Sequence, residues 1–155
     1  MNVENGMDMI RLVFTGVCLG TMAVAAADRG TPDEAKAMLA KAAAHYQSAG
    51  RAQALADFNA GKAPFRDRDL YVVCIAADHK IAANGAYPQY VGYAADILKD
   101  AAGKPLGGAI LASASGSGAV HYMMANPQTH AIEPKVIFTK TLGTDVCGVG
   151  AYNPK

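Results

Sequence analysis

Two residues with complementary chemistry stand on one predicted hairpin. The segment VHYMMANPQTHAIEPKVIF, residues 120–138, reads as strand, turn, strand, with Tyr122 on the first arm and Lys135 on the second. If residues 126–129 form the loop, Ala125 faces His130, Tyr122 faces Glu133 and Val120 faces Lys135. Directly opposed residues share a face of the sheet. Tyr122, Glu133 and Lys135 then fall on one side, and His121, Met123, Ile132, Val136 and Phe138 on the other. A one-residue slip exchanges the faces. A lysine beside a phenol can hold a small carboxylate through a charge-assisted hydrogen bond. The competing reading makes Glu133 and Lys135 a solvated edge pair, which contributes little.

The other reactive residue types form weaker patterns. Ser113, Ser115 and Ser117 lack the glycines two before and two after that a nucleophile elbow needs, and they read as a flexible connector over residues 113–118. His45, His79, His121 and His130 show neither metal-ligand spacing on a helix nor a haem-attachment motif. His45 sits beside an apolar helix face as a packing residue, His79 and His130 lie at turns, and His121 alone is a pocket candidate. Tyr71, Tyr93 and Met124 can wall a pocket or fill a core. No metal, cofactor or catalytic residue is expected, and the chain is not read as an enzyme.

These residues need elements to place them. Thr31-Pro32-Asp33-Glu34 opens a helix: Thr31 caps, Pro32 suits the first position and Glu34 completes a capping box. Ala35, Met38, Leu39, Ala42 and Tyr46 follow at helical spacing until Gly50, and residues 51–58 resume it. Residues 70–76, LYVVCIA, are rich in β-branched residues and read as a buried strand. A turn at Asp78-His79-Lys80 leads to a short partner strand at 81–83. Residues 93–99 and 109–114 are expected to be short helices, and 145–152 a closing strand carrying Gly148 and Gly150. A long helix, then strands joined by short turns, specifies an α+β domain with an antiparallel sheet.

The chain has 155 residues, 14 Lys and Arg against 13 Asp and Glu, and 52% hydrophobic residues, many of them alanine, with no tryptophan. A net charge of +1 gives no footprint for nucleic acid. Arg11 precedes LVFTGVCLGTMAVAAA, uncharged over residues 12–27 and ending in small residues, the layout of a secretory signal peptide. Glu4 and Asp8 are unusual ahead of such a core, and a start at Met7 or Met9 would remove most of that discrepancy. Val17 before Cys18 argues against lipid attachment. Residues 1–27 are therefore read as a signal peptide and 28–155 as one domain, periplasmic or secreted. Two cysteines, Cys74 and Cys147, remain in that domain, an even count that makes them disulfide candidates outside the cytoplasm.

Residues 58–85 (FNAGKAPFRDRDLYVVCIAADHKIAANG), 91–106 (VGYAADILKDAAGKPL), 122–140 (YMMANPQTHAIEPKVIFTK) and 146–152 (VCGVGAY) together resemble the single Cache domains of bacterial extracytoplasmic sensing. Asn126-Pro127 and Glu133-Pro134-Lys135 fall where that family has them. The chain departs from it at His121, where tryptophan is frequent, at Asp78-His79-Lys80, where a glycine turn is usual, and at Ala83-Asn84-Gly85, which replaces a histidine-bearing segment. The resemblance implies a PAS-like five-stranded antiparallel sheet behind a long N-terminal helix. Between the sheet and a helical crossover it implies a pocket for a small organic acid or other metabolite. Tyr122 and Lys135 would then bind ligand, with Tyr71, Tyr93, His121 and Met124 around them. The strands of Cys74 and Cys147 would be neighbours, and a bridge would close a loop of roughly 70 residues, worth about 4 kcal/mol on the chain-entropy model. A sensor without its own output domain would signal through a membrane receptor or kinase. The alternative is an accessory subunit with the same fold, a filled pocket and no ligand.

Overall fold

The computed structural model describes residues 28–154, so the expected signal peptide lies outside the described residues. Two consecutive helices lead the domain, α1 (Pro32–Ala49) and α2 (Arg51–Asn59). The expected capping box forms: the Glu34 amide donates to Thr31 Oγ1 at 3.2 Å and the Thr31 amide to Glu34 Oε2 at 2.7 Å. Gly50, at φ +82°, breaks the helix in a conformation that costs a glycine little. Ala35, Met38, Leu39, Ala42, Ala43 and Tyr46 make the buried stripe of α1.

The sheet strands are β1 (Arg66–Asp67), β2 (Leu70–Ile75), β3 (Ile81–Asn84), β4 (Ala119–Ala125), β5 (Ile132–Leu142) and β6 (Asp145–Tyr152), and α3 (Gly107–Ser113) precedes β4. All pairings are antiparallel, in the order β1-β2-β6-β5-β4, with β3 also on β2. The sheet thus has six strands where five are expected. The additional one is only two residues long: β3 pairs with Val73, Cys74 and Ile75, leaving the first half of that edge to Arg66 and Asp67. The fold is α+β.

Strand alternation divides the sheet into two unlike faces. Leu70, Val72, Cys74, Val136, Cys147, Val149 and Ala151 point to α1 and α2 and form one continuous core with their buried residues. Cys74 and Cys147 are directly opposed across β2 and β6 and are joined by a disulfide inside this core. Asp145, fully buried at the start of β6, accepts from the Tyr46 hydroxyl at 2.9 Å and pairs with Arg51 at 2.9 Å, tying both helices to the end of the sheet. On the other face, Ile75 and Ile137 pack with Ala95, Leu106 and Ile110 from the crossover.

The crossover is less helical than expected. Residues 93–99 contain only a 3-10 turn, Ala95–Ile97, and a second such turn spans Pro88–Tyr90. Ser113 belongs to the end of α3, not to a flexible connector: its buried hydroxyl donates to the Ile110 carbonyl at 2.7 Å and lies 2.7 Å from Thr139 Oγ1. Among the described residues, no helix is long and apolar enough to cross a membrane.

Candidate functional site

The hairpin register differs from the sequence expectation by two residues. Tyr122 faces Lys135 and Met124 faces Glu133, because the loop takes six residues, 126–131, instead of four. Asn126 explains the longer loop: its side-chain oxygen accepts the Gln128 amide at 2.8 Å, and its backbone carbonyl accepts the His130 amide at 2.8 Å. A two-residue shift preserves the faces. Tyr122, Glu133 and Lys135 still share one, and His121, Met123, Val136 and Phe138 share the other.

That first face carries a cavity of about 280 Å³ between the sheet and the crossover. Tyr71, Tyr87, Tyr90 and Tyr122 line it with Met124, Asn84, Lys99 and several aliphatic side chains, and among the described residues no acidic side chain does. Tyr90, Ile97 and Lys99 are its exposed members and mark the mouth. Asn84 shapes the wall: its side-chain oxygen accepts the Ala86 and Tyr87 amides at 3.2 and 2.9 Å, which folds the chain so that Tyr87 and Tyr90 reach inward.

Lys135 lies behind the tyrosine wall. It is 3% exposed, and its Nζ donates to the Tyr71 hydroxyl at 2.9 Å and the Tyr152 hydroxyl at 3.3 Å. The same nitrogen sits 4.2 and 4.3 Å from the centroids of those two rings, within cation–π range. Tyr152 donates its own proton to the Ala125 carbonyl at 2.8 Å. Gly150 makes the arrangement possible: a Cβ there would stand 2.2 Å from Lys135 Cε. Gly148 does the same for Ile137, where a Cβ would meet the side chain at 2.9 Å. The two glycines of β6 let β5 side chains lie flat across the sheet.

Burial pushes Lys135 down to about 7, against a smaller opposing pull from the charge of Asp69. Burial also raises the phenols of Tyr71, Tyr122 and Tyr152, so they stay protonated and able to donate. Lys135 is therefore no solvated edge residue. Nor is Glu133, which accepts hydrogen bonds from Arg29, Asn126, Thr129 and Asn153. The Arg29 guanidinium holds its carboxyl below the usual range. Asn126 also donates to Asp69 at 2.9 Å, and Asp69 accepts the Gly30 amide at 2.7 Å. This buried polar cluster ties the chain entering α1 to the base of the hairpin loop.

Tyr71, Tyr122 and Met124 thus line one cavity, and Lys135 stands behind Tyr71 without lining it. Tyr93 and His121 lie outside it. Tyr93 is 58% exposed, because its backbone carbonyl accepts the Ile81 amide at 2.9 Å and its ring is left outside. His121 is exposed on β4, opposite Val136, on the face away from the cavity. His45 lies 2.7 Å from Asp57 and stacks near Phe58 and Phe65; His79 and His130 occupy turns with φ of 62° and 60°. Sequence reasoning missed Tyr87, Tyr90, Asn84 and Tyr152. The first three lie in a loop and at a strand end without periodicity. Tyr152 was legible only through its place two residues after Gly150.

Comparison with known proteins places this geometry. The Single Cache domain 2 family model matches residues 25–146. No curated protein matches the chain. Among solved structures, the chain is similar to a methyl-accepting chemotaxis protein from Vibrio parahaemolyticus, with a TM-score of 0.65 and 18% identity over 77% of this chain and 86% of that one. It is also similar to a periplasmic sensor domain of a chemotaxis protein (0.57, 19%, covering 78% and 89%). A third neighbour is a Cache chemosensory domain described for carboxylic acid recognition (0.58, 17%, covering 78% and 87%). At these identities the structural likeness shows the fold, and the family match points to a ligand sensor rather than an enzyme. On the strength of a match that runs through most of the described domain, the chain belongs to the Single Cache domain 2 family.

Proposed function

We propose that this domain is an extracytoplasmic sensor for a small carboxylate, bound in the cavity beside Tyr71 and Tyr122, and that it acts through a partner receptor or kinase. The observation that carries the reading is the cavity's chemistry. Its wall offers protonated phenols, one of them hydrogen-bonded to a buried lysine, and no carboxylate of its own. Such a lining favours an anion and disfavours an amine. A volume of about 280 Å³ suits a ligand of a few carbon atoms, its apolar part against Ile137, Leu106 and Ile110. One structural neighbour is a domain described for carboxylic acid recognition, which supports the same ligand class. The layout of residues 1–27 supports export.

A thermal-shift screen against small carboxylates, amino acids and amines tests this. A ligand that binds the folded state raises Tm with concentration. The expected result is a dose-dependent rise with a carboxylate, weakened in Tyr122→Phe, which removes a hydroxyl and little volume. No shift with any compound would sink the sensor reading. A shift with amines alone would overturn the carboxylate.

A further inference from the structure

We propose that the pocket takes up a proton at Lys135 when it binds an anion, so that its occupancy reports ligand and pH together. The inference rests on the carboxylate reading above and concerns how that site is regulated.

The geometry begins with an unbalanced cation. Lys135 Nζ is buried, and its hydrogen-bond partners are two neutral phenol oxygens, Tyr71 from β2 and Tyr152 from β6. Tyr122, opposite it on β4, is a third phenol. The acids near this side of the sheet are already engaged. Asp69 accepts from Gly30 and Asn126, and Glu133 is paired with Arg29. No carboxylate lies within hydrogen-bond distance of Nζ among the described residues. A buried ammonium in that position is costly, which is why burial brings Lys135 down to about 7.

An anion in the cavity would supply the missing charge through one intermediary. Tyr71 lines the cavity, and its oxygen accepts from Nζ at 2.9 Å. Its own proton is then free to be donated to a carboxylate. The ligand charge would stand about one further hydrogen bond from the ammonium, roughly 5–6 Å away, close enough to favour the charged lysine. Binding and protonation are therefore linked. Below pH 7 the lysine is already charged and binding takes up little. Above it, each bound anion must bring a proton, and affinity falls towards about tenfold per pH unit.

The test is calorimetric titration of the purified protein with propionate at pH 6 and pH 8, in pairs of buffers with different ionisation enthalpies. The expected result is uptake of nearly one proton per propionate at pH 8 and little at pH 6, with weakened, pH-independent binding in Lys135→Met. Propionamide, the neutral analogue, should bind without uptake. In parallel, an NMR titration of the lysine side chains should find Lys135 titrating near 7 without ligand and higher with propionate. Propionate binding with no uptake at pH 8 overturns this inference and leaves the sensor reading standing. So does a Lys135 that titrates near its ordinary value in the ligand-free protein. If neither propionate nor any other small acid binds, the carboxylate reading falls, and this inference falls with it.

Discussion

The two faces of the sheet are built from the same strands and do opposite things. On the helix side, alternate residues of β2, β5 and β6 meet α1 and α2 in a closed core with a disulfide at its centre. On the cavity side, the intervening residues include Tyr71, Tyr152, a buried lysine and two glycines beside Val73, Ile75 and Ile137. A face packed to native density has no room for a ligand. The cavity face keeps room because Gly148 and Gly150 let Ile137 and Lys135 lie flat against the sheet, and because the crossover covers it with short turns instead of a long helix. Strand parity thus separates a closed core from a cavity in this domain: a residue and its neighbour in sequence enter different surroundings.

That separation can be broken most strongly on the helix side. Replacing both Cys74 and Cys147 by alanine should cost about 4 kcal/mol by the chain-entropy model, since the bridge spans a sequence separation of 73. Chemical denaturation should show it, with ligand affinity of the folded fraction unchanged. An equal loss of affinity would mean that the faces are not separable.

On the cavity side the expected sign is reversed. Lys135→Met should stabilise the ligand-free domain by a few kcal/mol at pH 6, the relief of the buried charge less the two hydrogen bonds to Tyr71 and Tyr152. Lys135 titrates at about 7 in the fold against an ordinary value of 10.5. The unfolded chain therefore binds more protons between these values, and wild-type stability rises with pH across that window. The advantage of Lys135→Met should shrink as pH climbs from 7 towards 10. An advantage that does not change with pH would refute the account.

Gly150→Ala sharpens the contrast further. The new Cβ would displace Lys135 from Tyr71 and Tyr152, an overpacking cost of about 2 kcal/mol, and ligand affinity should fall with it. The smallest effect belongs to a residue that serves the helix side alone. Thr31→Ala removes half of the capping box and should lower stability by about 1 kcal/mol while leaving affinity untouched. Urea melts and ligand titrations of the two variants would separate these outcomes.

Much of this architecture is legible in the amino-acid sequence. The capping box at Thr31, the stripe from Ala35 to Tyr46, the β-branched run at 70–75 and the face shared by Tyr122 and Lys135 follow from local chemistry and strand parity. Such signals survive because periodicity and capping depend on neighbours a few residues away. The single Cache resemblance, carried by segments in order, matches the family found by comparison. The hairpin register is not legible, because Asn126 gains partners in Asp69 and in its own loop, and a six-residue loop leaves no mark in composition.

What the sequence determined by itself is the set of elements, the two faces and the residue types on each. What only the tertiary structure decided is which of those residues meet. Tyr93 and His121 look as suitable for the pocket wall as Tyr71 and Met124, yet the crossover turns one outward and the helix-side face carries the other. Tyr152 and Tyr87, distant in sequence, stand close to Tyr71. Above all, Lys135 reads the same in sequence whether it is solvated or buried. Its charge, its partners and its proton depend on how β2 and β6 close over it, because desolvation is a property of everything packed around a group and not of the group.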